Sequence, residues 1–340
     1  ERTAPTAWPR DCTHPQAPRH RPLAPTESGV CRGRTCHHDE SCRTSQAGRL
    51  LRTDSFGPDP FLARHLAWPN HSLACNRLHR RMHAGHIVDA FLSIRDGVSR
   101  LPQSDMPAGR AFALGLLAHY ALDRIVHPFV YSQQDALIEA EPSLKNAYRE
   151  LHPIIETDLD SYLLWHMRHT TVETFPPAEV LEAVESTKHV GGALFSQVAL
   201  QIFDLNVGVG EYEKALQDYV RIYHTVERTD PKYTTKLPDV LYKTEKFMRP
   251  SNNSYVAAMA HRIVKTEDFP TANLKRLPWK EPYTGEIKTE SILDLVDEAR
   301  EFYKELVQAT ILGQRITLEE LVDGINYMGK PVVEMVDDED

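Results

Sequence analysis

From residue 54 onward, apolar side chains recur at intervals of three and four, and extended alternating runs are few. That period belongs to helices with one buried face. It predicts helices near 71–98, 108–127, 144–168, 178–204, 210–227, 252–265, 289–312 and 317–328. The clearest is ESILDLVDEAREFYKELVQA, where Ile292, Leu295, Val296, Ala299, Phe302 and Leu306 share one stripe. TLEE, starting at Thr317, reads as a capping box opening a further helix. Pro and Gly clusters in PPAE, TDPK and LPWKEPYTGE mark loops between these segments. The expected class is therefore all-α, and no internal repeat is visible.

Residues 1–53 follow a different pattern. They hold six prolines, four cysteines and one aromatic, Trp8, without apolar periodicity, and are expected to be disordered or to represent another reading frame. Nine arginines against five acids give this segment +4, so the remainder of a chain of net charge -9 carries -13. An acidic main body argues against nucleic acid as the principal partner, because binding phosphates leaves a basic footprint. CRGRTCHHDESC brings Cys31, Cys36 and Cys42 near His37 and His38, but the spacing fits none of the tight paired-cysteine zinc knuckles. Cys75, outside this segment, is assigned to packing or surface. No run approaches the roughly 20 apolar residues of a membrane span. The given chain shows no basic stretch followed by an apolar one, so a cytoplasmic location is the default expectation. The terminal DDED reads as a solvated acidic tail over 331–340.

The chemistry concentrates in two apolar segments. LGLLAHYALDRIVHPF carries His119, Asp123 and His127 four residues apart. On a helix such positions drift by only about 40° per step, so they share a stripe that is unfavourable to bury without coordination or hydrogen bonds. LHPIIETDLDSYLLW repeats the spacing with His152, Glu156 and Asp160, and two such helices face to face would converge six ligands. A lone histidine on an apolar helix is usually a satisfied core residue; two separate His/acid pairs reverse that expectation. Imidazole and carboxylate without thiolate suit Zn²⁺ or a similar divalent ion. Pro128 and Pro153 follow ligand histidines and disfavour helix at the residue before, which predicts His127 at a helix end and His152 at a kink or start. FGPDPF holds Asp59 in a stiff turn. CNRLHRRMHAGH adds His79, His83 and His86, of which position alone leaves open whether one faces a metal or all belong to an exposed basic helix.

Taken in order, GPD, NRLH, AHYALDRIVHPF and HPIIETDLD resemble the zinc-dependent phospholipase C family, whose helical domain is similar to that of S1/P1-type nucleases. The resemblance covers roughly residues 54–170. It implies a multi-helix phospholipase C/P1 nuclease-like bundle with a metal cleft. It also implies one zinc site from Asp59, His79, His119 and Asp123, a second from His127, His152 and Glu156, and a third ion towards which Asp123 would bridge. In secreted family members an N-terminal Trp and a nearby His hold that third ion; Trp8 and His14 lack family-like surroundings and are not assigned. His83 and Asp160 remain as residues that orient ligands or lie on the surface. The implied organisation is a segment 1–53, a metal-binding domain 54–175, a helical extension 176–330 packed on it, and the tail.

The expected function is a zinc-dependent phosphodiester hydrolase using metal-activated water, with Asp59 as general base and a phospholipid or small phosphodiester as substrate, contacting membrane surfaces transiently. Two alternatives stand beside it. An S1/P1-like single-strand nuclease would need a basic, aromatic-lined groove. A non-catalytic helical protein would close its metals off by complete protein coordination.

Overall fold

The computed structural model describes residues 56–66, 72–181, 185–227 and 258–332, with isolated positions between 240 and 247. The described residues lie in one compact unit. In chain order its helices are α1 (Pro60–Leu66), α2 (Leu73–Ala84), α3 (Ile87–Arg100), α4 (Met106–Ala140), α5 (Tyr148–Arg168), α6 (Pro177–Leu181), α7 (Glu185–Phe203), α8 (Glu211–Val226), α9 (Ile292–Leu312) and α10 (Arg315–Val322). Among the described residues the sheet content is one antiparallel hairpin, β1 (Trp279–Lys280) and β2 (Ile287–Lys288), with Trp279 opposite Lys288. The class is all-α. No helix among the described residues is long and apolar enough to cross a membrane.

α4 is the axis of the molecule. Its 35 residues extend about 52 Å at 1.5 Å per residue. A 3₁₀ turn, Pro142–Ala147, reverses the chain into α5. Contacts of Gln134 with Tyr148, Tyr131 with His152 and His127 with Glu156 step in opposite directions along the two helices, so they are antiparallel. α9 packs along α4 as well, with the Arg124 guanidinium 4.6 Å from the Phe302 ring centre. α1 lies against α2 and α8, so elements on both sides of residue 175 share one interior. Two apolar clusters frame the centre of α4. On one side Phe61, Phe112, Phe195 and Tyr212 are buried with ring centres 5.0–5.7 Å apart, mostly edge to face, the arrangement aromatic quadrupoles favour. On the other, Phe129, Ile155, Leu159, Tyr162, Trp279 and Leu295 join α4, α5, the hairpin and α9.

Several boundaries differ from the sequence expectation. The segment predicted as one helix over 71–98 breaks at Gly85 and His86, the latter left-handed at φ 57°. α4 does not end at His127: it continues through Pro128 to Ala140. Proline removes one helical hydrogen bond, the one to the Arg124 carbonyl, and tertiary packing on α9 and α5 outweighs that local loss. Thr317 opens nothing; α10 begins at Arg315 behind Gln314, which makes no side-chain cap. The capping box lies instead at Ser291, whose hydroxyl accepts from the Asp294 amide while the Asp294 carboxylate accepts from the Ser291 amide. Residues 261–265, placed at the end of a predicted helix, are not helical. The expectations for residues 1–53, for 252–257 and for the tail beyond 332 fall outside the described residues.

Candidate metal centre

Asp59 sits at the end of a tight turn, Phe56–Asp59, closed by its amide donating to the Phe56 carbonyl at 3.0 Å. Gly57 takes φ +47°, and a Cβ there would lie 2.5 Å from His119 Cδ2, so only glycine lets the turn press onto α4. α2 follows with Ser72 as its cap. It turns Cys75, Leu78, Met82 and His83 inward, and leaves His79 half-buried at the rim. The His83 Nδ1 donates to the His79 carbonyl at 2.8 Å. That bond leaves the lone pair on Nε2, which stands 3.0 Å from Asp59 Oδ1. His79 Nδ1 lies 3.9 Å from the same oxygen.

α4 contributes from the opposite side. His119 Nε2 lies 3.3 Å from Asp123 Oδ2 and 3.6 Å from Asp59 Oδ2. One turn on, His127 points its Nδ1 at the Tyr327 carbonyl, 2.7 Å away, and its Nε2 at Glu156 Oε1, 3.2 Å away. His152 Nε2 completes the second group at 3.1 Å from the same Glu156 oxygen. Asp123 lies between the groups, its Oδ2 4.0 Å from His127 Nδ1. Three donor sets result: Asp59, His79 and His83; His83, His119 and Asp123; His127, His152 and Glu156, each with atoms within 4.8 Å of one another.

Imidazole lone pairs facing carboxylate oxygens at about 3 Å repel unless a cation lies between them. With protons in that role, burial opposes charge but Asp123 and Asp59 outweigh it and raise His119 to about 9. Burial is likewise outweighed at His127, where Asp123 and Glu156 raise the pKa to about 10. Glu156 falls to about 2, because His127 and His152 overcome desolvation. Asp59 is held well below the usual carboxylate range against burial by His119 and His83. Asp123 is the exception, its carboxyl raised by burial despite His119 and His127. Desolvation and the neighbouring His83 lower His79 to about 4, leaving it neutral.

The donors also fit a metal. Four ligands at about 2.1 Å on a tetrahedral ion lie about 3.4 Å apart, and the close donor pairs here span 3.0–3.6 Å. His79 Nδ1 and His119 Nε2, both facing Asp59, are buried without a hydrogen-bond partner, the condition expected of some atoms meant for coordination. Nitrogen and oxygen donors without thiolate suit zinc and related divalent ions.

Of the residues singled out in sequence, Asp59, His79, His119, Asp123, His127, His152 and Glu156 are brought together, and His83, left open there, enters between the first two sets. His86 does not join them; it is half-exposed and pairs with Asp89 at 3.5 Å. Asp160 leaves the expected six-ligand convergence. Its exposed carboxylate lies 3.8 Å from His261 Nε2, whose Nδ1 is 3.4 Å from the fully buried Glu227. Neither His261 nor Glu227 was visible in sequence, because no local spacing links residues 34 positions apart.

A cavity of about 310 Å³ opens over the cluster. Its lining combines the carboxylates of Asp59, Asp123, Glu156 and Asp160 with the aromatic rings of Phe56, Tyr219 and Tyr223 and the apolar side chains of Leu122, Val126, Leu163 and Met259. No family profile, characterised protein or solved structure matches the chain.

Proposed function

We propose that the protein is a zinc-dependent phosphodiester hydrolase of the phospholipase C kind, with the phospholipase C/P1 nuclease-like arrangement of its helical bundle. The observation that carries this reading is the set of eight nitrogen and oxygen donors gathered beneath one cavity, Asp59, His79, His83, His119, Asp123, His127, His152 and Glu156. Divalent ions bound there would supply Lewis acidity towards phosphoryl oxygens and lower the pKa of a water molecule.

The chain's own groups would do the rest. His83, His119 and Asp59 hold one end of the site, and His127, His152 and Glu156 the other, with Asp123 between them. Asp59 and Glu156 are the most exposed of the donors, their side chains 34% and 40% exposed. Asp59, its carboxyl held well below the usual range and so ionised at neutral pH, would accept the proton of the attacking water. That exposure favours an open, catalytic site over a closed structural one. The aromatic and aliphatic walls accommodate the apolar part of a lipid phosphodiester and exclude bulk water.

A single-strand nuclease shares the metals and would use the Phe56, Tyr219 and Tyr223 wall for stacking. The net charge of -13 carried by the chain beyond residue 53 disfavours a polyanion, so the small or lipid phosphodiester is preferred. The test measures zinc content and hydrolysis of phosphatidylcholine, a chromogenic phosphodiester and single-stranded DNA by wild type and Asp123→Ala. Bound zinc with lipid or small-diester turnover, lost in the variant, is expected. Folded wild type that binds no zinc sinks the reading, and zinc without turnover assigns the metals to structure.

A further inference from the structure

A short turn far from the metal motifs touches both donor groups from behind. After α10 the chain passes through Asp323 and Gly324, both left-handed, and folds into a turn spanning Ile325–Lys330. Asn326 ties the turn to itself: its amide donates to the Lys330 carbonyl, and its side-chain oxygen accepts from the Met328 and Lys330 amides. The turn is docked by Tyr120, whose hydroxyl donates to the Ile325 carbonyl at 2.7 Å, and by the Tyr327 amide, which donates to the His83 carbonyl at 3.3 Å. The buried Tyr327 ring stands 4.8 Å from the His83 ring and 5.6 Å from His119, centre to centre. Its carbonyl accepts from His127 Nδ1. One residue thus backs the imidazoles of the first group with its ring and fixes the tautomer of the second group with its backbone.

Gly329 makes this approach feasible. At φ +68° it lies against the proline in α4, where a Cβ would stand 2.4 Å from Pro128 Cγ and 2.7 Å from the Arg124 carbonyl. The bare Arg124 carbonyl left by Pro128 and the side chain missing at residue 329 are two halves of one close contact.

We infer that the Ile325–Lys330 turn is the positioning element of the metal centre, so that docking of the turn and loading of the ion site at His127, His152 and Glu156 are thermodynamically one event. The inference rests on the metal reading. Carbonyl and carboxylate partners of ligand imidazoles orient the ring and raise its basicity, and losing one weakens metal affinity by roughly 10–100-fold.

Three variants of the full chain separate the contributions in zinc titrations with site-resolved stoichiometry. Gly329→Val pushes the turn from α4 and is expected to weaken one site by about 10–100-fold while leaving the other near wild type. Tyr327→Ala keeps the carbonyl that meets His127 but opens space behind His83 and His119, and is expected to weaken the site they serve. Tyr327→Phe keeps ring and backbone and is expected to match wild type, a rescue that a general loss of stability would not give. Amide hydrogen exchange of wild type with and without zinc is the second measurement, needing no variant to fold: protection at Tyr327 and Gly329 should rise on zinc addition. Unchanged protection there, or wild-type affinity at both sites in Gly329→Val, overturns the inference while the metal reading stands. Wild type that binds no zinc overturns both.

Discussion

At the scale of single residues, the centre depends on a few groups with no substitute. Asp123 lies between His119 and His127 and is the only donor whose carboxyl is raised rather than lowered. Asp123→Asn is nearly isosteric, yet removes the charge facing both imidazoles; zinc bound per chain should fall at both sites, by at least about tenfold in affinity. Gly57→Ala meets a left-handed backbone and the His119 ring together. It should destabilise by roughly 1–3 kcal/mol in chemical denaturation and also weaken zinc binding. His261 permits a pH prediction away from the metal ligands. Burial alone would lower its pKa, but Asp160 and Glu227 raise it from 6.5 to about 9. A raised histidine contributes stability fully present below its unfolded pKa and lost as pH rises through the folded one. Between pH 6.5 and about 9 the protein should lose about 3 kcal/mol from this group. Urea unfolding of His261→Gln should show a pH dependence smaller by that amount, and an identical slope would refute the assignment.

At the scale of elements, α4 and α9 show where local rules hold and where packing overrides them. His119, Asp123 and His127 were legible as one stripe because a four-residue spacing on any helix produces one. Pro128 suggested that the stripe ends at His127, yet α4 runs on to Ala140. The missing hydrogen bond is local, whereas contacts with α5, α9 and the C-terminal turn accumulate along the whole helix. The start of α9 follows the reverse logic: Ser291 and Asp294 cap it reciprocally, while Thr317, three residues before Glu320, lies inside α10. Ser291→Ala should lower stability by about 1 kcal/mol in thermal or urea unfolding. Zinc stoichiometry should stay unchanged, because Ser291 and Asp294 belong to none of the donor sets.

At the scale of the whole molecule, the donor sets come from four regions: a turn before α1, and the helices α2, α4 and α5. Ion binding should therefore stabilise the assembly rather than one helix. Zinc in excess of its dissociation constant by a hundredfold adds about 2.7 kcal/mol per site, and chelation should lower the melting temperature correspondingly. Binding should also release protons, since His119 and His127 carry raised pKa values before the metal arrives. Calorimetry in two buffers of different ionisation enthalpy would measure that release.

The sequence by itself determined the all-α class and most of the side chains that cluster, because helix periodicity and a four-residue spacing are local properties of a chain. Tertiary structure alone decided that His83 joins the cluster while Asp160 turns to His261 and Glu227. It alone brought the Tyr327 carbonyl to His127 across 200 residues. A helix stripe states which side chains point together, but not which of them meets a partner. That choice is made by the packing of distant elements, whose contacts leave no period in the sequence.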